Sequence, residues 1–220
     1  MALNVGKIKG TGGKSTPQEA LGAGSYPARV VQVIDLGLQA QDPWQGDEKP
    51  PKNEMLITYE CLDEFMINED GEEQLDKPRW LSEDFTLNSL ESDLAKSTKR
   101  YMVLDPEVKD GGDFIAQLGK PCMISVVQNP GKGKNVGKTY NNVINIAAMR
   151  PKDVNKAADL VNKPLSFELE EPDMEVFNNL PEWIQNKIKG NLEYNGSPLQ
   201  EALGETPAPE EEEGDDKENW

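Results

Sequence analysis

Histidine is absent from this 220-residue chain. Its absence removes the commonest general base, the usual partner of a nucleophilic serine or cysteine, and the commonest ligand of transition metals. The glycines at 131–137 lie between two predicted strands, so they do not form the strand-to-helix turn that cradles a phosphate group. We therefore expect a protein that is not an enzyme and that uses no cofactor and no metal ion.

Cysteine and long apolar runs are also scarce. The two cysteines, Cys61 and Cys122, lie in apolar, strand-like runs and not in a CxxC pair, which predicts reduced core residues. No apolar run is long enough to span a bilayer, and the start of the chain does not have the pattern of a signal peptide. We expect a cytosolic protein with one ordinary domain and flexible ends.

Positive charge is concentrated in one stretch of a chain whose formal net charge is −17. Residues 119–152 contain no acid and six cations: Lys120, Lys132, Lys134, Lys138, Arg150 and Lys152. Two apolar runs, 123–127 and 143–148, flank a loop of Asn, Pro, Gly and Lys, which predicts a β-hairpin with a basic tip. Such a tip favours contact with an anionic partner.

The order of the predicted elements indicates a mainly β fold. Strands are predicted at 26–35, 54–62 and 77–87, helices at 89–102 and 112–118, and two further strands in the basic hairpin. Three strands, a helical insertion and two strands are the order of the five-stranded OB-fold barrel. A mixed antiparallel sheet with a helix on one face is the alternative.

Local patterns add detail to the first three strands. Alternation in the first strand groups Ala28, Val30 and Ile34 on one face and Arg29, Val31 and Val33 on the other. Gly37 is expected to break this strand. The segment 39–53 is predicted to be a loop because of its Pro and Gly content. The acidic run at 60–76 is expected to be a solvated turn centred on 68–71, and not a metal site.

Composition divides the chain into four parts. These are a flexible basic arm at 1–24, the OB-fold domain at 25–150, a C-terminal wrap and helix packed on the barrel at 151–200, and a disordered acidic tail at 201–220. The arm carries Lys7, Lys9 and Lys14 and either contacts a polyanion or is a leader without a role. Pro181 should divide the helical segment at 173–190. The terminal Trp220 is expected to act as an anchor that binds a hydrophobic pocket rimmed by cations on a partner protein.

Four phrases carry a family resemblance: GSYPARVVQVIDLG, GKPCMISVV, GKTYNNV and LPEWIQNKI. With the small barrel and the acidic tail that ends in an aromatic residue, they resemble bacteriophage single-stranded DNA-binding proteins. The tail ends Glu-Asn-Trp, whereas bacterial members end in Pro-Phe. The resemblance implies sequence-independent binding of single-stranded DNA during phage replication or recombination, in the cytoplasm of the infected bacterial host. It also implies a tail that competes with DNA and recruits replication proteins such as a DNA polymerase or helicase.

The resemblance implies a role for each class of residue. Phosphate contacts are expected from the arm lysines and from Arg29, Arg79, Lys120, Lys132, Lys134 and Lys138. Stacking faces are expected from Trp44, Tyr59, Trp80 and Tyr140, and Tyr26 offers another. The tail residues expected to bind partners are Glu210, Glu211, Glu212, Glu213, Asp215, Asp216 and Trp220. Trp44 equally fits a cap on the core, and a one-residue shift in register turns Tyr59 and Trp80 inward.

Two other functions stay open. The first is an acidic protein-interaction module or DNA mimic that binds replication proteins and not DNA. The basic hairpin argues against it, because a mimic has no use for an acid-free, lysine-rich loop. The second is a Mg²⁺-dependent nuclease using Asp63, Glu64 or Asp70, which the spacing of these acids favours least.

Overall fold

The computed structural model describes residues 18–207 of the chain. Strands form most of its regular structure: β1 (Gly24–Trp44), β2 (Asp47–Ile67), β3 (Glu73–Thr86), β4 (Pro121–Pro130), β5 (Thr139–Ala148) and β6 (Leu165–Phe167). Five short helices accompany them: α1 (Lys96–Leu104), α2 (Pro151–Val154), α3 (Met174–Asn179), α4 (Glu182–Lys189) and α5 (Pro198–Ala202). The prediction of a mainly β protein is confirmed. None of the helices among the described residues is long and apolar enough to cross a bilayer.

The strands form one sheet in the order β3-β2-β1-β4-β5. All of these neighbours are antiparallel, and the short β6 pairs in parallel with the middle of β1. Among the residues described, no backbone pairing joins the edge strands β3 and β5, so the sheet is not closed. Side chains connect the two edges instead: Arg100 of α1 donates to both carboxylate oxygens of Glu83 in β3 and to the carbonyl of Ile144 in β5.

A bulge in β1 divides its apolar residues between two cores. Val30 pairs with Tyr59 and Gln32 pairs with Thr58, so Val31 is the extra residue. Beyond the bulge the faces exchange: Val33 joins the core that holds Val30, while Ile34 faces the opposite side of the sheet. The predicted grouping of Ile34 with Ala28 and Val30 is therefore wrong, because strict alternation does not allow for an inserted residue.

The two cores lie on opposite faces of the sheet. The inner core is enclosed by the sheet, α1 and the connection to β4, and includes Tyr59, Cys61, Cys122 and Ile124. The outer core joins Ile34, Leu36 and Leu56 to the C-terminal segment, whose buried residues are Phe167, Phe177, Leu180, Ile184, Ile188 and Leu199. The C-terminal segment thus packs on the outer face of β1 and β2.

The segment predicted as a loop at 39–53 is instead a two-stranded ribbon that extends β1 and β2. Gln45 and Gly46 make its turn, with φ of 54° and 95°, as a type I′ hairpin turn requires. Pro43, Pro50 and Pro51 are tolerated because they lie at irregularities of the pairing in a largely exposed ribbon, where they have no directly paired residue.

Gly37 remains inside β1 at an irregularity of the pairing and does not end the strand. Its φ is 75°, and an added Cβ would lie 2.8 Å from the side chains of Asn191 and Leu169. Glycine is therefore needed here both for the backbone conformation and for the close approach of the C-terminal segment.

The connection from β3 to β4 also differs from the prediction. Helix α1 begins after Ala95, not at Ser89, whose hydroxyl accepts a hydrogen bond from the amide of Glu91 in a turn. The predicted helix at 112–118 is a single 3₁₀ turn, Ile115–Gln117, followed by Gly119 with φ of 79°. Polar side chains that bind the local backbone favour these turns over a longer helix.

The two ends of the described chain are tied to the body. Of the predicted arm, residues 18–24 contact the sheet, and residues 1–17 lie outside the described residues. Of the predicted tail, residues 201–202 belong to α5, and the Glu205 carboxylate accepts hydrogen bonds from Lys189 and Tyr194 at 2.7 Å each. Residues 208–220 lie outside the described part of the chain. The helical segment at 173–190 divides at Pro181, as predicted.

Candidate functional site

The basic stretch forms the predicted hairpin. Strands β4 and β5 pair from Cys122 and Ala148 up to Pro130 and Thr139, and residues 131–138 form the loop between them. The loop has a defined shape: the Gly131 amide donates to the Lys138 carbonyl at 2.8 Å, and Gly133–Asn135 make a 3₁₀ turn. A Cβ on Gly131 would collide with the carbonyl of Asn135, so only glycine fits at this position.

Three lysines of this loop point into solvent. Lys132, Lys134 and Lys138 are exposed, and within residues 18–207 none of them has an ion pair or a side-chain hydrogen bond. The ring of Tyr140 packs close to Gly131 at the base of the loop and is 43% exposed. The hairpin therefore presents three free ammonium groups beside one available aromatic face.

Lys120 and Arg29, also predicted to contact phosphate, are occupied by structural partners. Lys120 lies 2.8 Å from the Asp110 carboxylate, which lowers the pKa of Asp110. Arg29 donates to the carbonyls of Gly119 and Ala158 at 2.8 Å each, so its guanidinium holds two segments on the sheet. Both side chains therefore have structural partners in the fold, and their contacts with phosphate stay a prediction.

Tyr59 is a core residue and not a stacking platform. It is fully buried, and its hydroxyl donates to Glu83 at 2.9 Å. Burial, followed by the negative charge of Glu83, raises the pKa of Tyr59 well above its ordinary value. Tyr59 has the same alternation as Met55, Ile57 and Cys61, and that whole face lines the inner core.

Glu60 organises the outer face of the sheet. Its carboxylate accepts hydrogen bonds from the backbone amides of Val161 (2.7 Å) and Asn162 (3.3 Å), from the Asn162 side chain (2.6 Å) and from the Trp80 indole (3.0 Å). Glu60 is buried, so it does not belong to the solvated turn in which the sequence placed it. The turn itself forms at Asn68–Gly71, as predicted.

Residues 157–162, called here the covering segment, close this face. Arg29, Glu60 and Trp80 are neighbours across β1, β2 and β3. Arg29 and Glu60 bind the backbone of the covering segment from either end. Trp80 stays 43% exposed at the edge of the covered area, with its N–H already bound.

Trp44 is remote in the fold from the basic hairpin. It ends β1 at the tip of the ribbon and is 64% exposed, with the Lys49 ammonium 5.3 Å from its ring centroid. The hairpin pairs with the other end of β1, from Gly24 to Arg29. The structure therefore brings Tyr140 and the loop lysines together but does not add Trp44 to them.

Sequence reasoning missed the anchorage of residues 18–24, called here the arm base. The Asn141 side chain accepts from the Leu21 amide at 2.7 Å and donates to the Leu21 carbonyl at 2.8 Å. The Gln18 side chain binds the amide and carbonyl of Ile67 in the same two-point manner. Nothing local signals these bonds, because their partners are far apart in sequence.

Two further predicted residues support the arm base. Arg79 donates to the carbonyl of Glu19 at 2.8 Å, and the Tyr26 hydroxyl donates to the carbonyl of Gly22 at 2.8 Å. The pKa of Tyr26 is raised, first by burial and then by the negative charge of Glu64. The tail residues predicted to bind partners all lie beyond residue 207, outside the described part of the chain: Glu210, Glu211, Glu212, Glu213, Asp215, Asp216 and Trp220.

Neither a metal site nor a known relative gives a further indication of the function. Among residues 18–207, no group of three or more His, Cys, Asp or Glu side chains is arranged to hold a metal ion. No protein-family model matches the chain, and no curated protein matches it.

Proposed function

We propose that this protein binds single-stranded DNA without sequence preference, through the hairpin of β4 and β5. The proposal is carried by Lys132, Lys134 and Lys138, which are exposed beside the available ring of Tyr140 and have no partner among residues 18–207. Cations of this kind follow a phosphate backbone, and an aromatic face stacks on any base. Because the chain has a net charge of −17, most of its surface repels a polyanion. The acid-free loop with its exposed lysines is where a polyanion is attracted instead.

The sheet supports the OB-fold part of the proposal. We interpret it as a five-stranded OB-type barrel that is open between β3 and β5. The order β3-β2-β1-β4-β5 and the position of α1 between β3 and β4 agree with that fold. The bulged, continuous β1, which pairs with β2 along most of its length and with β4 near its start, also fits this interpretation.

We propose that this binding of single-stranded DNA takes part in phage DNA replication or recombination. The acidic tail would compete with DNA for the lysines and recruit replication proteins. This part of the proposal rests on the composition of the tail and on the family resemblance. It is tested separately from DNA binding, by truncation of the tail.

Fluorescence anisotropy of labelled oligo-dT, with a matching duplex and a salt series, tests the central claim. We expect tighter binding to the single strand, weakening with salt, and a lower salt dependence in Lys132→Ala/Lys134→Ala/Lys138→Ala. The matched control is Lys99→Ala/Lys156→Ala/Lys163→Ala, which removes three exposed, unpaired lysines elsewhere in the described chain. An equal loss of oligo-dT affinity in both triple variants would show that the net charge of the protein, and not the hairpin, governs binding.

The alternative of an acidic module that binds proteins has one observation in its favour. The turn between β2 and β3 presents Glu69, Asp70 and Glu72 to solvent. Absence of oligo-dT binding at low salt, with and without the tail, would favour this alternative and contradict our proposal.

A further inference from the structure

The outer face of β1, β2 and β3 is largely covered by the chain itself. The covering segment closes the row of Arg29, Glu60 and Trp80, and the C-terminal helices lie over Ile34 and Leu56. OB-folds commonly bind a nucleic acid on the face of strands 2 and 3. Because the chain fills most of that face here, a single strand held by the hairpin needs another path.

The outer face of β4 and β5 is open. In β4, the side chains of Cys122, Ile124 and Val126 point into the inner core, so the residues that alternate with them face outward. The outward residues of β4 and their partners in β5, called here the outer strip, are all uncharged and none of them is buried. They are Met123, Ser125, Val127 and Asn129 in β4, and Tyr140, Asn142, Asn145 and Ala147 in β5.

The outer strip runs from the basic loop to a pocket. At the loop end it includes Tyr140, whose ring packs close to Gly131. At the other end Met123, which pairs with Ala147, lines a pocket of about 410 Å³. Tyr140 and Ala147 are seven positions apart in β5, or roughly 20 Å. This length suits a few nucleotides, in keeping with the roughly 4–16 nucleotides that one OB-fold binds.

The lining of the pocket suits an uncharged ring. Its apolar residues include two methionines, and its charged residues are two acids and two bases, which leave no net charge to attract a phosphate. Thioether groups make favourable contacts with aromatic rings and adapt to rings of different shape. A nucleobase of any kind therefore fits this pocket better than a phosphate does. The residues used in this argument are Pro27, Leu62, Met123, Met149, Asp63, Asp153, Arg150 and Lys156.

We propose that single-stranded DNA lies along the outer strip, from the lysine loop to this pocket, and that one base enters the pocket against Met123 and Met149. The inference rests on the proposed function and adds to it a path and a base-binding pocket. The loop lysines hold phosphates at one end of the path, while uncharged side chains leave the rest of it free of repulsion.

A thiol footprint in the full-length chain tests the path. Ala147→Cys places a thiol on the exposed strip beside Met123, and the two native cysteines are buried. The matched control is Ser82→Cys, which places a thiol at an exposed position on the outer face of β3. We expect oligo-dT to slow the reaction of Ala147→Cys with a thiol reagent severalfold and to leave Ser82→Cys unchanged.

Anisotropy titrations with oligo-dT test the same path by charge. Ser125→Asp places a carboxylate in the outer strip and should weaken binding severalfold. Ser82→Asp is its control, because each serine hydroxyl lies within hydrogen-bond distance of a hydroxyl on the neighbouring strand, Ser25 for Ser125 and Thr58 for Ser82. It adds the same charge outside the strip and should have a smaller effect.

The pocket is tested by Met123→Ala, which should weaken oligo-dT binding by about two- to tenfold, the range for one contact between sulfur and an aromatic ring. Met102→Ala is the control, because Met102 is a partly exposed methionine of α1 and lies outside the strip. Thermal melting checks that each variant is folded. The footprint uses a small substitution at an exposed position, so it still decides the path if Ser125→Asp or Met123→Ala unfolds.

Protection of Ser82→Cys and not of Ala147→Cys would overturn the inference, and so would equal losses from Ser125→Asp and Ser82→Asp. Protection of Ala147→Cys that is present without DNA and disappears on deletion of 208–220 would identify the acidic tail as the occupant and would also overturn it. An unprotected Ala147→Cys in a chain that still binds oligo-dT would contradict the path alone. Absence of oligo-dT binding by the wild-type chain would instead overturn the proposed function.

Discussion

Two tyrosines that look alike in sequence have opposite environments. Tyr59 is buried against Glu83, whereas the Tyr140 ring is available beside the lysine loop. Tyr59→Phe should lower the free energy of unfolding by about 1.5–3 kcal/mol, the range for a hydrogen bond to a charged group, and leave oligo-dT affinity unchanged. Tyr140→Ala should weaken oligo-dT binding by about 1–3 kcal/mol, the contribution of one stacked base, with little effect on unfolding. Urea unfolding and anisotropy titration of both variants check the contrast, and a binding loss in Tyr59→Phe would contradict it.

The two cysteines give a second test at the scale of residues. Burial raises the pKa of Cys61 and of Cys122 from 9.0 to about 12, so neither thiol ionises in the folded protein near neutral pH. The thiols of the unfolded chain ionise at lower pH than the buried thiols of the folded protein. The stability of the folded protein relative to the unfolded chain is therefore unaffected by the thiols below pH 9 and falls as the pH rises from 9 towards 12. We expect both thiols to resist a thiol reagent at pH 8 in the native protein and to react after unfolding in urea. Rapid labelling of one thiol in the native state would contradict the described core.

At the scale of elements, α1 connects the open edges of the sheet through Arg100. Its guanidinium binds both oxygens of Glu83, the Asn145 side chain and the Ile144 carbonyl, and the Arg100–Glu83 pair is almost fully buried. Arg100→Met should lower the free energy of unfolding by about 3–5 kcal/mol, because it leaves the buried Glu83 carboxylate with Lys96 and Tyr59 as its side-chain partners among the described residues.

The double variant Arg100→Met/Glu83→Gln separates the charge effect from packing. We expect it to be more stable than Arg100→Met alone, because it removes the buried carboxylate charge that Arg100 no longer neutralises. Denaturant titrations of the three proteins check this order. Equal stability of the single and double variants would show that the guanidinium contributes packing only.

The strands differ in how well the sequence predicts them. The basic hairpin is predictable because its apolar runs, turn residues and charges are adjacent in the chain. The ribbon at 39–53 is not, because its prolines indicate a loop and its Gln45-Gly46 turn lacks the usual Asn-Gly signal. Strand β6 is three residues long and pairs with β1 more than a hundred positions away, so no local pattern marks it.

For the candidate site, local composition identifies exposed residues better than buried ones. Lys132, Lys134 and Lys138 are exposed as predicted, because no distant side chain among residues 18–207 pairs with them. Arg29 and Glu60 are polar residues in the same sheet, yet both are used by the covering segment about a hundred residues later. The fate of such residues depends on tertiary contacts that a single sequence does not reveal.

At the scale of the whole molecule, the charge of −17 opposes DNA binding, and much of it lies in the last thirteen residues. These residues follow α5 and the Glu205 contact with Lys189, so their removal leaves every described contact in place. Deletion of 208–220 should therefore tighten oligo-dT binding at low salt, on the order of tenfold, by removing a competing polyanion. The gain should shrink as salt screens both interactions.

Anisotropy titrations of the full-length and truncated chains across a salt series measure this effect. A variant in which the acids of 208–220 are replaced by Gln, and Trp220 is kept, separates charge from the terminal aromatic residue. If charge alone competes, the substituted and truncated chains should bind oligo-dT equally. If Trp220 also occupies the hairpin, the truncated chain should bind more tightly than the substituted one. An affinity that is the same in all three proteins at low salt would show that the tail does not reach the lysines of the hairpin, and it would leave recruitment of partners as the remaining role for the tail.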